Sequence, residues 1–185
     1  MSYVQALDKA WNEIAAETTE KRFSVKLLSD IYEIDLDRKV ALSSSCNVPA
    51  KDHVTIILLH YLGQKLAFKT LPQPAGEWID FNELVGGEGY YPAFKKRTID
   101  HVVKKYGQNP EDLLRVTQRM PAKVANFSDV SVIIYPFVEI GILIKISKGD
   151  EELGPAANIL YDRNISKIFC TEDIVVLTEI IVHQL

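Results

Sequence analysis

From Tyr3 to Ala16 the apolar residues Val4, Leu7, Ala10, Trp11 and Ile14 fall three and four positions apart, the stripe of an amphipathic helix. The period then changes. In YEIDLD, Tyr32, Ile34 and Leu36 alternate with Glu33, Asp35 and Asp37, and KVALS follows after Asp37 and Arg38. That alternation predicts an antiparallel hairpin with one wet face, preceded by strand formers from Phe23 to Leu28. In VPAKDHVTIILLHYLGQK the helical stripe returns as Val54, Ile57, Leu58, Tyr61 and Leu62. Pro49 suits its first turn and Gly63 a left-handed C-terminal residue. Ile56 and Leu59 make this helix apolar on most of its circumference, which predicts a central position.

Further on, Ile99, Val102, Val103 and Tyr106 repeat at helical spacing up to Gly107. NPEDLLRVTQRM then starts a second short helix, with Asn109 as N-cap and Pro110, Glu111 and Asp112 in its first turn. Strand patterns follow: Val130, Val132 and Ile134, then Ile142, Ile144 and Ile146, with Pro136 and Gly141 bending the path, and finally NILYD. Thr171, with Glu172 and Asp173, caps a last helix striped by Ile174, Leu177, Thr178, Ile181 and Val182. The order lacks any regular βαβ alternation. It predicts an α+β fold, a mainly antiparallel sheet packed with several helices in a single domain over residues 1–185, with residues 1–20 as a candidate peripheral helix.

Composition narrows the function classes. With 47% hydrophobic and 25% charged residues, the 185-residue chain matches an ordinary globular domain. Its net charge is -4, and Lys95, Lys96, Arg97, Lys104 and Lys105 form the one notable basic cluster. That is far short of a nucleic-acid footprint. Cys46 and Cys170 lie far apart with no CxxC, so cysteine alone builds neither a zinc site nor an iron-sulfur cluster, and both read as reduced core or half-buried thiols. Asp8, Glu13 and Glu17 interrupt the N-terminal apolar positions, unlike a signal peptide, so a cytoplasmic address is expected. VSVIIYPFVEIGILIKI is broken by Pro136, Glu139 and Gly141 and is too short to span a bilayer, so no membrane partner is expected.

Candidate chemistry is sparse. His53 and His60 share a helix face but stand ~10.5 Å apart along the axis, too far to chelate one ion. SSSC at Ser43 to Cys46 lacks the nucleophile-elbow pattern. GGEG lacks both the Lys-Ser/Thr of a phosphate-binding loop and the spacing of a dinucleotide site. No metal site and no cofactor is assigned. Asp150, Glu151 and Glu152 occupy a turn after a buried strand and Asp162 ends the next strand, an acidic set more simply read as solvated.

The most unusual stretch is GEWIDFNELVGGEGYYPAF, residues 76–94, which gathers Trp78, Phe81, Tyr90, Tyr91 and Phe94 around Gly86, Gly87 and Gly89. Read as an irregular loop, it either plugs its own core or walls a pocket.

Together with Gly149-Asp150, Glu152, Ala157, Leu160-Tyr161-Asp162 and Thr171-Glu172-Asp173, this stretch resembles the family catalogued as domain of unknown function 3786. The resemblance covers most of the chain and implies no activity. It implies a setting in anaerobic bacteria and archaea, where some members carry a cysteine-rich iron-sulfur domain of the kind found with corrinoid proteins. This chain has no such domain. In LGPAAN it departs from the shorter connection expected after the acidic turn. The leading expectation is a non-catalytic cytoplasmic domain that binds a small molecule or cofactor, linked to corrinoid or one-carbon metabolism. Trp78, Tyr90 and Tyr91 would supply walls, Gly86 and Gly87 backbone contact, and Glu152 and Asp162 polar anchors. Two rivals remain: an enzyme with Glu83 or Glu152 as a buried general base, and a protein-interaction module with an exposed apolar patch.

Overall fold

The computed structural model describes residues 3–149 and 153–185. Two compact units divide the chain, Met1–Pro72 and Gln73–Leu185, and the expected α+β character with antiparallel sheets is found in both.

In the first unit, helix α1 (Tyr3–Glu17) packs on α2 (Asp52–Phe68), and strands β1 (Arg22–Leu27), β2 (Asp30–Asp35) and β3 (Val40–Ser43) form an antiparallel sheet in chain order. The period-two pattern sets its register: Ile34 pairs with Phe23 and Ala41, and Ile34 and Ala41 are buried. Trp11 and Ile14 of α1 are buried, and Ile56 to Leu59, Tyr61 and Leu62 of α2 are buried around nearly its full circumference.

Two end signals were misread. Pro49 precedes α2, in a lone bridge with Leu42. Gly63 lies inside α2, which runs on to Phe68 and ends at Lys69 with φ 52°. A methyl group at Gly63 would stand 3.9 Å from Ile14 Cγ1, so this glycine lies where α1 crosses and does not stop the helix.

The second unit holds a five-stranded antiparallel sheet in the order β4-β8-β7-β6-β5. Its strands are β4 (Trp78–Asp80), β5 (Ala122–Ala125), β6 (Val130–Phe137), β7 (Ile140–Ser147) and β8 (Ala156–Asp162). Helices α3 (Gly87–Arg97), α4 (Ile99–Tyr106) and α5 (Thr171–Val182) complete it, with 3-10 turns at Phe81–Glu83, Pro110–Gln118 and Arg163–Lys167. Directly paired residues share a face. Ile79, Tyr161, Ile142 and Ile134 form one row, and Ile159, Ile144 and Val132 another; all seven are buried. The Tyr161 hydroxyl meets Thr178 Oγ1 at 2.8 Å, which places α5 over this face. Pro136 sits where the β6–β7 register shifts between Ile134 and Phe137, a bulge that tolerates its missing N–H.

The residue 76–94 stretch is not irregular. It runs as β4, a 3-10 turn and α3, with Pro92 inside the helix. Packing overrides weak propensity here: the Phe81 and Phe94 rings stack at 4.0 Å and 3°, both fully buried. The NPEDLL helix is 3-10, and Asn109 makes no side-chain cap. Cys170, not Thr171, occupies the N-cap of α5. Among the described residues, no helix is long and apolar enough to cross a membrane.

Candidate functional site

The first half of the unusual stretch is bound tightly to the end of β8. Asp162 takes Ala75 N–H at 2.9 Å and Gly76 N–H at 2.8 Å on its two oxygens, and Asn164 N–H at 2.9 Å. Gly76 has φ 76°, where glycine costs nothing. Arg163 grips Glu77 with Nε and Nη2 at 2.6 and 2.8 Å and reaches Glu83 at 3.4 Å. The Arg163 hydrogen bond holds the Glu77 carboxyl below the usual range. Glu83 also accepts Asp80 N–H at 3.0 Å, while Asp80 accepts Asn82 N–H, forming a capping box. Asp162 and Glu83 are therefore occupied in fixing the chain path. Glu83 is half-exposed, unlike the buried carboxylate a general base requires.

The glycines then set a sharp entry into α3. Gly86 has φ 74°, and at Gly87 a Cβ would stand 2.0 Å from the carbonyl oxygen of Phe81. Phe81 and Phe94 plug the core, while Tyr90 is 41% exposed and walls a cleft.

That cleft, about 250 Å³, is lined by Gly86, Tyr90, Arg97, Thr171 and Glu172 with apolar Val85, Val175 and Val176. α3 carries Tyr90 and Arg97 one above the other. The Arg97 guanidinium donates to the Tyr90 hydroxyl and lies 5.2 Å from its ring centre. Arg97 also forms an ion pair with Glu179 of α5 at 3.0 Å, without hydrogen-bond alignment at that Glu179 oxygen. The Thr171 hydroxyl donates to Val85 O at 2.7 Å and ties the turn before α3 to the start of α5. A guanidinium, a phenol hydroxyl and the positive end of α5 thus face a valine wall.

Of the sequence candidates, Gly86 and Tyr90 line the cleft. Gly87 is buried behind it, at the close approach to Phe81. Tyr91 is half-buried with its ring 6.3 Å from Phe94, and burial raises its hydroxyl. Trp78 pairs with Asp162 and so points to the sheet face opposite Ile79 and α5, where its ring meets Phe127 edge-on at 6.2 Å. Glu152 lies outside the described residues.

Sequence reasoning missed Arg97, hidden in a basic cluster, and Thr171, read as a cap. Both cysteines are free, as expected of reduced thiols, but exposed where core or half-buried positions were expected. Burial nonetheless pushes the Cys170 thiol up to about 12.

The family model for domain of unknown function DUF3786 matches residues 7–184, nearly the whole chain. The chain belongs to this DUF3786 family. No curated protein and no solved structure matches it.

Proposed function

We propose that this DUF3786 protein binds a small molecule carrying an anionic group in the cleft between α3 and α5. The carrying observation is the convergence of Gly86, Tyr90, Arg97 and Thr171 with three valines around about 250 Å³. Arg97 and the start of α5 favour negative charge, offset in part by the Glu172 carboxylate in the lining and by Glu179 on Arg97, and Tyr90 with Val85, Val175 and Val176 favours a flat or apolar body. The volume equals on the order of eight waters, which suits a metabolite-sized group and not a whole corrin ring. A tie to corrinoid or one-carbon metabolism, and to anaerobes, therefore rests on the family resemblance alone. A cytoplasmic setting is supported by two free cysteines.

An interaction module has one observation in its favour: Val85, at the cleft mouth, is 90% exposed. Ligand-observed NMR against a panel of small carboxylates and phosphate esters distinguishes the two. Signals from one chemical class that vanish in Arg97→Met and Tyr90→Phe support the cleft. A panel with no hits, or hits that persist in both variants, would overturn it.

A further inference from the structure

A second candidate site lies on α4 and α5 and uses none of the residues that line the cleft. His101 and His183 are 82 positions apart in sequence, yet their ring centroids are 5.6 Å apart with planes at 50°. Both side chains are exposed. His183 Nδ1 lies 2.7 Å from the carbonyl oxygen of Glu179. A carbonyl oxygen can only accept, so Nδ1 carries a proton, and in the neutral imidazole Nε2 is then the nitrogen with the free lone pair. Fixing one ring nitrogen on a carbonyl is how proteins orient an imidazole that ligates through the other.

The separation is informative about the metal. With a metal-nitrogen bond of about 2.0–2.1 Å and a ring centre about 1.2 Å behind its nitrogen, two imidazoles on one tetrahedral ion have centroids about 5.2 Å apart. At the right angle of a square-planar ion the separation falls to about 4.5 Å. The observed 5.6 Å lies nearer the tetrahedral value. The excess is within the reach of a small rotation of the exposed His101 side chain.

We propose that His101 and His183 form a two-histidine site for a tetrahedral divalent transition metal, of which Zn2+ is the best match, with water in the remaining positions. Glu179, one turn before His183 on α5, has its carboxylate held by Arg97 at 3.0 Å and does not complete the set. The site is an open one, and metal there would clamp the start of α4 to the end of α5. No cluster of three or more ligating side chains occurs among the described residues, so binding rests on this pair and is of moderate strength.

The test is calorimetric titration of the chelator-treated protein with ZnCl2 in a non-coordinating buffer. The same titration is run on His101→Ala and His183→Ala, and on a His53→Ala/His60→Ala control. The expected result is one equivalent in the wild type and the control, weakened at least about tenfold in each single variant. Circular dichroism checks that the variants stay folded, as their exposure implies. No binding by the wild type up to about 1 mM Zn2+ would overturn the proposal. So would one-equivalent binding that survives both single substitutions, or binding lost in the control.

Discussion

Gly87→Ala is the sharpest test of how the unusual stretch folds. The new methyl carbon would stand 2.0 Å from the carbonyl oxygen of Phe81, 3.1 Å from its carbonyl carbon and 3.4 Å from Asn82 Cα. These are backbone atoms, and the same carbonyl accepts Leu84 N–H at 3.1 Å. Reaching an ordinary carbon-oxygen separation requires a shift of more than about 1 Å. The side chain that would move with it, Phe81, is fully buried and stacked at 4.0 Å on Phe94. Overpacking of this kind costs ~1–3 kcal/mol, and a forced backbone movement belongs at the upper end. Alanine's better helix propensity offsets up to ~1 kcal/mol, leaving a net loss of about 2 kcal/mol. For a chain of this size that is a fall of about 4–8 °C in Tm.

Gly89→Ala is the matched control. It lies in the same helix with nothing within 4 Å of its Cβ position, so it should gain about 0.5–1 kcal/mol. Urea titrations followed by circular dichroism compare the two. A Gly87→Ala protein as stable as wild type, or equal losses at both positions, would refute the close-approach argument.

Other consequences follow from single contacts. Asp162→Ala removes the acceptor for three backbone N–H groups and should cost about 1–3 kcal/mol in chemical denaturation. Tyr161→Phe deletes the buried 2.8 Å contact with Thr178; Thr178 still donates to Ile174 O at 2.6 Å, so the loss should be only about 1 kcal/mol. Burial raises the Cys170 thiol to about 12, so at pH 8 iodoacetamide should alkylate it far more slowly than a free cysteine, as peptide mass mapping would report. Burial pushes the Asp30 carboxyl up, but hydrogen bonds from Ser43, Ser45 and Ile31 outweigh it and set the group below its ordinary 3.8. A lowered folded value stabilises above the ordinary value and is lost as pH falls through the folded one. The stability gap between wild type and Asp30→Asn should therefore be full at neutral pH and close below about 3.8, as acid titrations by circular dichroism would show.

Periodicity alone located the hairpin, α1, α2, α4, α5 and strands β6 to β8, because each buries one face or is buried throughout. It failed where tertiary contact decides. Gly63 looks like a stop signal but lies inside α2 beside Ile14. GGEGYYPAF looks like loop, with three glycines and a proline, yet forms a helix because Phe94 stacks on Phe81. β4 and β5 are three and four residues long, too short for a period to register, and each forms an edge of the larger sheet.

The candidate site was half legible. Gly86 and Tyr90 belong to the stretch the sequence singled out. Arg97 lies two turns after Tyr90 on α3, whereas Thr171 and Val175 join them only because β8 and the 3-10 turn after it carry the chain back to α5. No local spacing encodes that return. The same holds for His101 and His183, which share no motif and meet only through the packing of the second unit.

The central claim, a ligand in the α3–α5 cleft, is tested most directly by native mass spectrometry of protein purified anaerobically from its own host. A parallel preparation of Val176→Phe, which fills the cleft from its half-buried rim, provides the comparison. The account predicts a mass excess on the wild type that denaturation releases and that the folded variant lacks. Wild-type protein carrying no added mass, or the same excess on both proteins, would contradict it.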